Sequence, residues 1–585
     1  MPTEKVPGEI GPGETAPGDT AHRDTIAGLL LDRRGDPHPG LRTRDQTWTW
    51  DEVVRESAAR AALARTLRDD PEPFHIGVLL ENVPDYIFWL GAAALAGATI
   101  VGINSTKRGA TLEAEVRHAD LGLVVTDQAG LELLSGLDIG VPRDRFLLID
   151  DPSYAVAVAA APASDPAPPA GPAAVADPAI TPQTRMLLLF TSGTTGTSKA
   201  AICSQGRLAR LAYANCGKYD LGRRDITYCA MPLFHGNAIM ALWAPSLAAG
   251  ATVCLAGKFS ATSFLPDVRH YGITFFSYVG KAISYILATP ESPGDHDNTL
   301  THAFGTEASP DDQGAFLRRF GCRLIEAYGS SESSGMIALA PDLPPGALGR
   351  PARPGVQVID PETLEPCPPG VLDRHGRVTN AEAAIGEIAD REGASRFEGY
   401  YNNPAANAER VRHGWYWTGD LGYSDEAGFL YFAGRSGDWI RVDGENISGL
   451  VTERVLRRHP QIIAAAVYGV PDSRSGDQVM AAIEMPRGVR LMGLGLSEFL
   501  TVQEDLGTKG APRFVRVTTA LPATGSGKIR KKELQMEGWL CDEPVYQWTG
   551  RGAPSYTLLT ADGKAALRAR FRAAGRERFL PGNAS

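Results

Sequence analysis

The chain has 585 residues, too many for one ordinary hydrophobic core, so two or more domains are expected. Hydrophobic residues make up 43% and charged residues 22%, the balance of a globular protein rather than of a disordered or membrane-embedded one. A formal net charge of −10 argues against general nucleic-acid binding, which uses a basic footprint, but leaves room for a nucleotide held locally.

In chain order, residues 1–23 are rich in Pro, Gly and acidic side chains and read as a disordered tail. They lack the apolar stretch of a secretion signal, so a cytoplasmic protein is expected. Runs 76–80, 98–103 and 121–126 are strand-like, and 86–96 and 112–119 between them are helical. Strands alternating with helices imply parallel βαβ units and a sheet covered on both faces. Residues 156–178 are almost wholly Ala, Pro, Val, Asp and Gly and read as a flexible surface excursion. The alternation resumes from 226 to 277. Seven widely spaced cysteines form no C-x-x-C pair, so reduced core thiols are expected, without a zinc cage or a disulfide framework. No window reaches the 18 or so apolar residues of a membrane span.

The chemistry begins after the apolar run 186–190, where Thr191, Ser192, Gly193, Thr194, Thr195, Gly196, Thr197, Ser198 and Lys199 follow one another. Glycines let successive N–H groups converge on an anion, the hydroxyls add neutral donors, and Lys199 supplies a cation: a phosphate cradle. It is not the G-x-x-x-x-G-K-[ST] loop, because Ser198 rather than Gly precedes the lysine and Ala200 follows it. Further on, His235 stands in the run Pro232-Leu233-Phe234-His235-Gly236-Asn237. The run Tyr328-Gly329-Ser330-Ser331-Glu332 ends on a carboxylate suited to Mg²⁺ held with phosphates. Asp420, in Thr418-Gly419-Asp420, can accept hydrogen bonds from two vicinal hydroxyls, and Gly434-Arg435 follows it. Gly437 then opens a run that reads as a hinge into a second domain. Near the C-terminus Lys528 projects from the turn Gly525-Ser526-Gly527. Five arginines of the final helix, from Arg568 to Arg578, read as a solvated face.

Each cluster is weak alone, but together and in this order they resemble the adenylate-forming acyl-CoA synthetase and luciferase superfamily. Within it the chain is similar to the actinobacterial fatty-acid-CoA ligases and the fatty acid transport proteins, through Gly305-Thr306-Glu307-Ala308-Ser309, Arg441-Val442-Asp443-Gly444-Glu445-Asn446 and Glu543-Pro544-Val545-Tyr546. The resemblance covers residues 24–578. It implies an α/β fold: a large N-terminal domain of βαβ-type sheets over 24–434, a hinge at 435–440, and a smaller, mobile α+β C-terminal domain over 441–585.

The resemblance also implies a site. Thr191 to Lys199 would grip the ATP phosphates, with Gly305, Thr306, Glu307 and Tyr328 to Ser331 around the adenine. Glu332 would ligate Mg²⁺, and Asp420 and Arg435 would hold the ribose. Lys528 would bridge the substrate carboxylate and α-phosphate, His235 would stand beside the carboxylate, and Arg441, Gly444 and Glu445 would face CoA. The catalytic set is then Lys528, His235, Thr191 and Glu332. The implied reaction joins a small-molecule carboxylic acid, fatty, steroidal or aryl, to CoA through an acyl-adenylate, with ATP, Mg²⁺ and CoA as cofactors and a homodimer left open. Two other readings remain: adenylation with a different acceptor or acid (a carrier protein, an amine, or nitrite adenylated to diazotise an arylamine), and a non-catalytic transport or binding scaffold. Retention of Lys528, Glu332 and Asp420 argues against the last. The chain departs from many relatives in carrying Ser198 rather than Pro before the loop lysine, and Gly437 at the hinge.

Overall fold

The computed structural model describes residues 24–581 apart from 69–73, 162–176, 178, 193–197, 307, 333–334, 341, 345, 374–377, 436–438, 443–444, 475–476, 489–490, 492–494, 504–505, 507–509, 525–527 and 550–555. The tail 1–23 and most of the 156–178 segment thus lie outside the described residues.

Short runs of Val, Ile and Leu, buried on both faces, make the first sheet. Its order is Phe146–Leu148, Leu121–Thr126, His75–Leu79, Thr99–Gly102, Arg185–Ser192 and Ser198–Ser204, all pairs parallel except the last. The connecting helix Pro84–Ala96 starts with Pro in its first turn and stops at Gly97, whose φ of 64° suits only a residue without a Cβ penalty. Helix Trp50–Thr66 packs beside it, its N-terminus closed by a reciprocal Thr49–Glu52 capping box.

A second sheet runs Arg323–Glu326, His302–Thr306, Phe275–Val279, Ile226–Cys229, Thr252–Leu255 and Pro39–Arg42 in parallel, with Thr47–Thr49 antiparallel at its edge. A third, antiparallel sheet includes Gly386–Asp390, Trp415–Ser424 and Leu430–Arg435. These three sheets form the large N-terminal domain. The smaller C-terminal domain holds the hairpin Trp439–Val442 and Glu445–Ser448 and a mixed five-stranded sheet. In its strand Ala464–Pro471, Ala465 and Val467 enter one core while Ala464, Ala466 and Tyr468 enter another, the period-two alternation of a sheet buried on both faces.

One expectation needs correcting. Residues 156–160 form the end of helix Pro152–Ala160 rather than the start of a flexible segment. Asp151 caps that helix, Pro152 presets its first turn, and the buried Tyr154 anchors it by donating to Asp85 (2.6 Å) and accepting from Trp89 (3.0 Å). All seven cysteines are unpaired, five of them buried, as the spacing implied.

The buried Asn82 joins the first two sheets. Its Nδ2 donates to the carbonyls of Met231 (3.0 Å) and Ala256 (3.1 Å), and its Oδ1 accepts from the Leu233 N–H (2.9 Å). It thereby fixes the segment that leads into His235. Truncation to Ala strands these backbone groups, so Asn82→Ala should lower the unfolding free energy by about 2–3 kcal/mol, seen as a lower denaturant midpoint at unchanged slope. An unchanged midpoint would remove Asn82 from this role.

Candidate active site

The phosphate-loop segment is a hairpin. Thr191 pairs with Lys199 and Ser192 with Ser198 across antiparallel strands, and Gly193, Thr194, Thr195 and Gly196 between them lie outside the described residues. Lys199 therefore sits on the return strand rather than at a loop tip, and its side chain is 7% exposed. A buried ammonium needs a counter-charge, and Glu409 provides it at 2.9 Å, with the Tyr400 ring 5.5 Å from the same nitrogen.

Glu332 is buried, and its Oε1 accepts the Tyr400 hydroxyl at 3.0 Å. The Thr191 hydroxyl lies 3.3 Å from the same oxygen and equally near the Lys199 carbonyl. Arg410 in turn donates through Nε to the Tyr400 oxygen (3.2 Å) and through Nη1 to the Thr418 carbonyl. Thr191, Glu332 and the Thr418–Asp420 strand, far apart in sequence, thus converge through two residues that sequence reasoning missed. A signal existed for Tyr400, an aromatic directly after a glycine in Glu398-Gly399-Tyr400, but nothing singled out Arg410.

Tyr328 and Asp420 are brought together: the phenol donates to Asp420 Oδ2 at 2.7 Å, and burial followed by the Asp420 charge holds it well above the ordinary tyrosine value, so it remains a donor. Asp420 and Arg435 are register partners on neighbouring strands. Gly305 and Thr306 end a strand one place from Phe275–Val279, and at Gly305 a Cβ would come within 2.4 Å of the Tyr278 carbonyl. Glycine there keeps the strand tip open. The neighbouring Glu326, also missed, accepts from the Tyr278 hydroxyl (2.5 Å) and the Ala308 N–H (3.1 Å). Gly329 and Ser330 are exposed in the loop beyond it, and the Ser331 carbonyl is held by Arg207 (2.7 Å).

His235 follows a tight turn closed by its own N–H on the Pro232 carbonyl (2.9 Å) and precedes the helix Gly236–Ala238. That helix continues as a π-helical turn, Ile239–Trp243, an irregularity common beside functional sites. At Gly236 a Cβ would stand 3.1 Å from the Ser331 hydroxyl, so this turn abuts the Tyr328–Glu332 loop. Lys528, from the C-terminal domain, stands on a loop tied by Thr524 N–H to the Lys528 carbonyl (2.7 Å) and Lys528 N–H to the Thr524 hydroxyl (3.1 Å). The two residues feel each other. Burial, and then the positive charge of Lys528, pull the His235 imidazole down to about 4.

Glu307, Gly437 and Gly444 lie outside the described residues, and of Arg435, Arg441 and Glu445 only the backbone is described. Among the described residues no group of three or more His, Cys, Asp or Glu side chains could hold a metal on its own. Glu332 suits instead a hard cation that arrives bound to phosphates, which takes one or two protein carboxylates.

The pattern of the AMP-binding enzyme family matches residues 31–401, and that of the AMP-binding enzyme C-terminal domain matches residues 452–528. The chain belongs to this family. It is 61% identical over 556 residues to the steroid-22-oyl-CoA synthetase of Rhodococcus jostii (strain RHA1), covering 95% of this chain and 99% of that one. It is 42% identical to the medium/long-chain-fatty-acid–CoA ligase FadD17 of Mycobacterium tuberculosis, over 89% of this chain and 98% of the relative. In fold it is similar to an anthranilate CoA ligase, AuaEII, solved with anthranoyl-AMP (TM-score 0.74, 21% identity, covering 88% of this chain and 97% of that one). ATP-bound MatB from Rhodopseudomonas palustris is alike as well (TM-score 0.72, 23% identity, covering 88% and 98%). The chain is an enzyme, an acyl-CoA ligase of the AMP-forming class, and such ligases use ATP and CoA. No helix among the described residues is long and apolar enough to cross a membrane.

The ligase's histidine has a pH signature. Its folded pKa of about 4 lies below the ordinary 6.5, so the neutral ring stabilises the fold fully above pH 6.5, and that stability is lost as pH falls toward 4. Wild type should therefore lose stability relative to His235→Gln between pH 6.5 and 4.5 in denaturant titrations. Parallel pH profiles would show that the imidazole protonates freely in the fold.

Proposed function

We propose that the ligase adenylates an apolar carboxylic acid of the steroid side-chain type and passes the acyl group to CoA. The observations that support the site assignment are the Thr191 and Tyr400 hydroxyls on Glu332, the Tyr328–Asp420 hydrogen bond and the closeness of the Gly236 turn to the Ser331 hydroxyl, with the charge of Lys528 acting on His235 from the other domain. The steroid acid is chosen over a fatty acid because the relative named for it shares 61% identity over nearly the full length, against 42% for the fatty-acid ligase.

On this reading Mg-ATP enters as substrate, with its phosphates along the hairpin from Thr191 to Lys199, including Ser192 and Gly193 to Gly196. Adenine lies by Gly305, Thr306, Glu307 and Tyr328 to Ser331, and the ribose hydroxyls lie on Asp420 and Arg435. Glu332 would hold the Mg²⁺ that accompanies the phosphates, and that ion would supply charge neutralisation. The substrate carboxylate oxygen attacks the α-phosphorus, and the bond to the β-phosphate oxygen breaks to release pyrophosphate. Both reactants are anions, so the lysine has to stand between them: Lys528 contacts the carboxylate and α-phosphate, and its fixed charge costs no reorganisation when the transition state forms. A neutral His235 is the better neighbour for Lys528, because an imidazolium would repel the ammonium. The CoA sulfur next attacks the acyl carbon and expels AMP, the thiol proton passing to solvent. That step has no use for Lys528, which favours a C-terminal domain (441–585) that turns about Gly437 (hinge 435–440) against the N-terminal domain (24–434) and presents Arg441, Gly444 and Glu445 to CoA.

The test is AMP release from Mg-ATP with a panel containing a steroid 22-carboxylic acid, medium- and long-chain fatty acids, aryl acids and nitrite, each with and without CoA. CoA-dependent thioester from the steroid acid supports the reading. AMP release that needs nitrite and an arylamine but no CoA would overturn it. Lys528→Ala should cut acid-dependent ATP–pyrophosphate exchange by at least about 10²-fold while leaving thioester formation from supplied acyl-adenylate within about twofold, a loss of the size expected for one electrostatic contact in a transition state. Equal loss in both steps would place Lys528 elsewhere in the cycle.

A further inference from the structure

Lys528 can act on the N-terminal site only if its loop arrives there in register, and one buried carboxylate spans the two domains at the root of that loop. Glu484 ends the C-terminal strand Asp477–Glu484 and is 4% exposed. Its Oε2 accepts the Leu521 N–H at 2.9 Å within its own domain. Its Oε1 accepts, across the domain boundary, the hydroxyl of Tyr285 at 2.8 Å. Tyr285 belongs to the helix Gly280–Leu287, which begins where the strand Phe275–Val279 ends, beside Gly305 and Thr306. From Leu521 onward the Lys528 loop is closed on itself: the Arg530 N–H meets the Pro522 carbonyl (2.8 Å), and Thr524 and Lys528 bond each other twice. The route from Tyr285 toward Lys528 thus runs from phenol to carboxylate to the Leu521 amide, and then through the bonds that join Pro522 to Arg530 and Thr524 to Lys528.

We infer that Tyr285 is a positioning residue, a latch on Glu484 that holds the C-terminal domain in the orientation that places Lys528 at His235, and so favours adenylation over thioester formation. A carboxylate accepts stronger hydrogen bonds than a neutral group, and a buried one is costly to leave without partners. Turning the C-terminal domain breaks the Tyr285 contact but leaves the Leu521 bond intact, so the contact distinguishes the two orientations, which is what a population shift requires. Burial and the Glu484 charge both raise the Tyr285 phenol, so it stays protonated and remains the donor. Two ion pairs among the described residues also cross the boundary at longer reach, Arg457 to Asp312 at 3.4 Å and the more exposed Arg458 to Asp311 at 3.3 Å. The second pair is exposed on its Asp311 side, and exposed pairs contribute little.

The inference rests on the proposed roles of Lys528 and His235, and its test separates the two. Tyr285→Phe keeps the ring and removes one hydroxyl, and Glu484→Gln keeps the shape and removes the charge. With the full-length enzyme and a steroid 22-carboxylic acid, both variants should lose about tenfold in ATP–pyrophosphate exchange, the factor for one hydrogen bond to a charged group. Thioester formation from supplied acyl-adenylate should stay within about twofold of wild type or rise. A merely structural role would lower both steps together, and that result, or a loss in neither, overturns the latch. If wild type adenylates no acid in the panel, the functional proposal fails by itself, and hydrogen exchange then decides the latch. Peptides spanning residues 521–530 should exchange several-fold faster in Tyr285→Phe than in wild type, and equal exchange overturns it.

Discussion

One oxygen of Glu332 is where the three sheets of the N-terminal domain meet. Thr191 reaches it from the first sheet, Glu332 itself follows the last strand of the second, and Tyr400 is tied through Arg410 to the Thr418 carbonyl of the third. A buried carboxylate is tolerated only if it is hydrogen-bonded, so the fold must bring hydroxyls to it. Those hydroxyls come from segments more than 60 residues away on either side. Both hydroxyls fall on Oε1, and the hairpin strands that carry Thr191 and Lys199 lie alongside.

The sheets and most of their helices were legible because their signals are local. Runs such as 121–126 are short and apolar, helices such as Pro84–Ala96 carry Pro at the start and Gly at the end, and their alternation has one simple solution, parallel strands covered on both sides. Helix Pro152–Ala160 was not legible, because composition hid an Asp-Pro start and a single buried tyrosine. Within the site, side chains in glycine-rich motifs stood out, whereas Asn82, Tyr400, Arg410 and Tyr285 did not. Asn82, Tyr400 and Tyr285 act through partners 68 to 199 residues distant, and sequence spacing carries no trace of such pairings. Arg410 is the exception, since its partners Tyr400 and Thr418 lie 10 and 8 residues away, but its role depends on where Tyr400 points.

The two domains divide the charges between them. The N-terminal domain carries Lys199 within a strand that is already paired on its backbone, so that cation is fixed. Lys528 is carried by the other domain, its N–H and carbonyl both bonded to Thr524. On the proposed reading Lys528 is needed for one step and not the next, and such a cation is best placed on a body that can turn away as a unit, since a loop that merely flexed would have to be reordered at each turnover.

Lys199 poses the reverse problem, a charge that must stay put whether or not ATP is bound. A buried ammonium without a partner is costly, and Glu409 meets that cost in the free enzyme with a carboxylate that is itself 60% exposed. The asymmetry matters. Because Glu409 keeps most of its hydration, releasing it returns a carboxylate to water with little desolvation to undo, while Lys199 gains a phosphate of higher charge on the proposed reading. A fully buried glutamate would have bound the lysine too firmly for ATP to displace it, and no acid at all would have left the ammonium to disturb the hairpin. On the proposed reading, a buried lysine paired with an exposed glutamate keeps the hairpin in shape and still yields to the substrate.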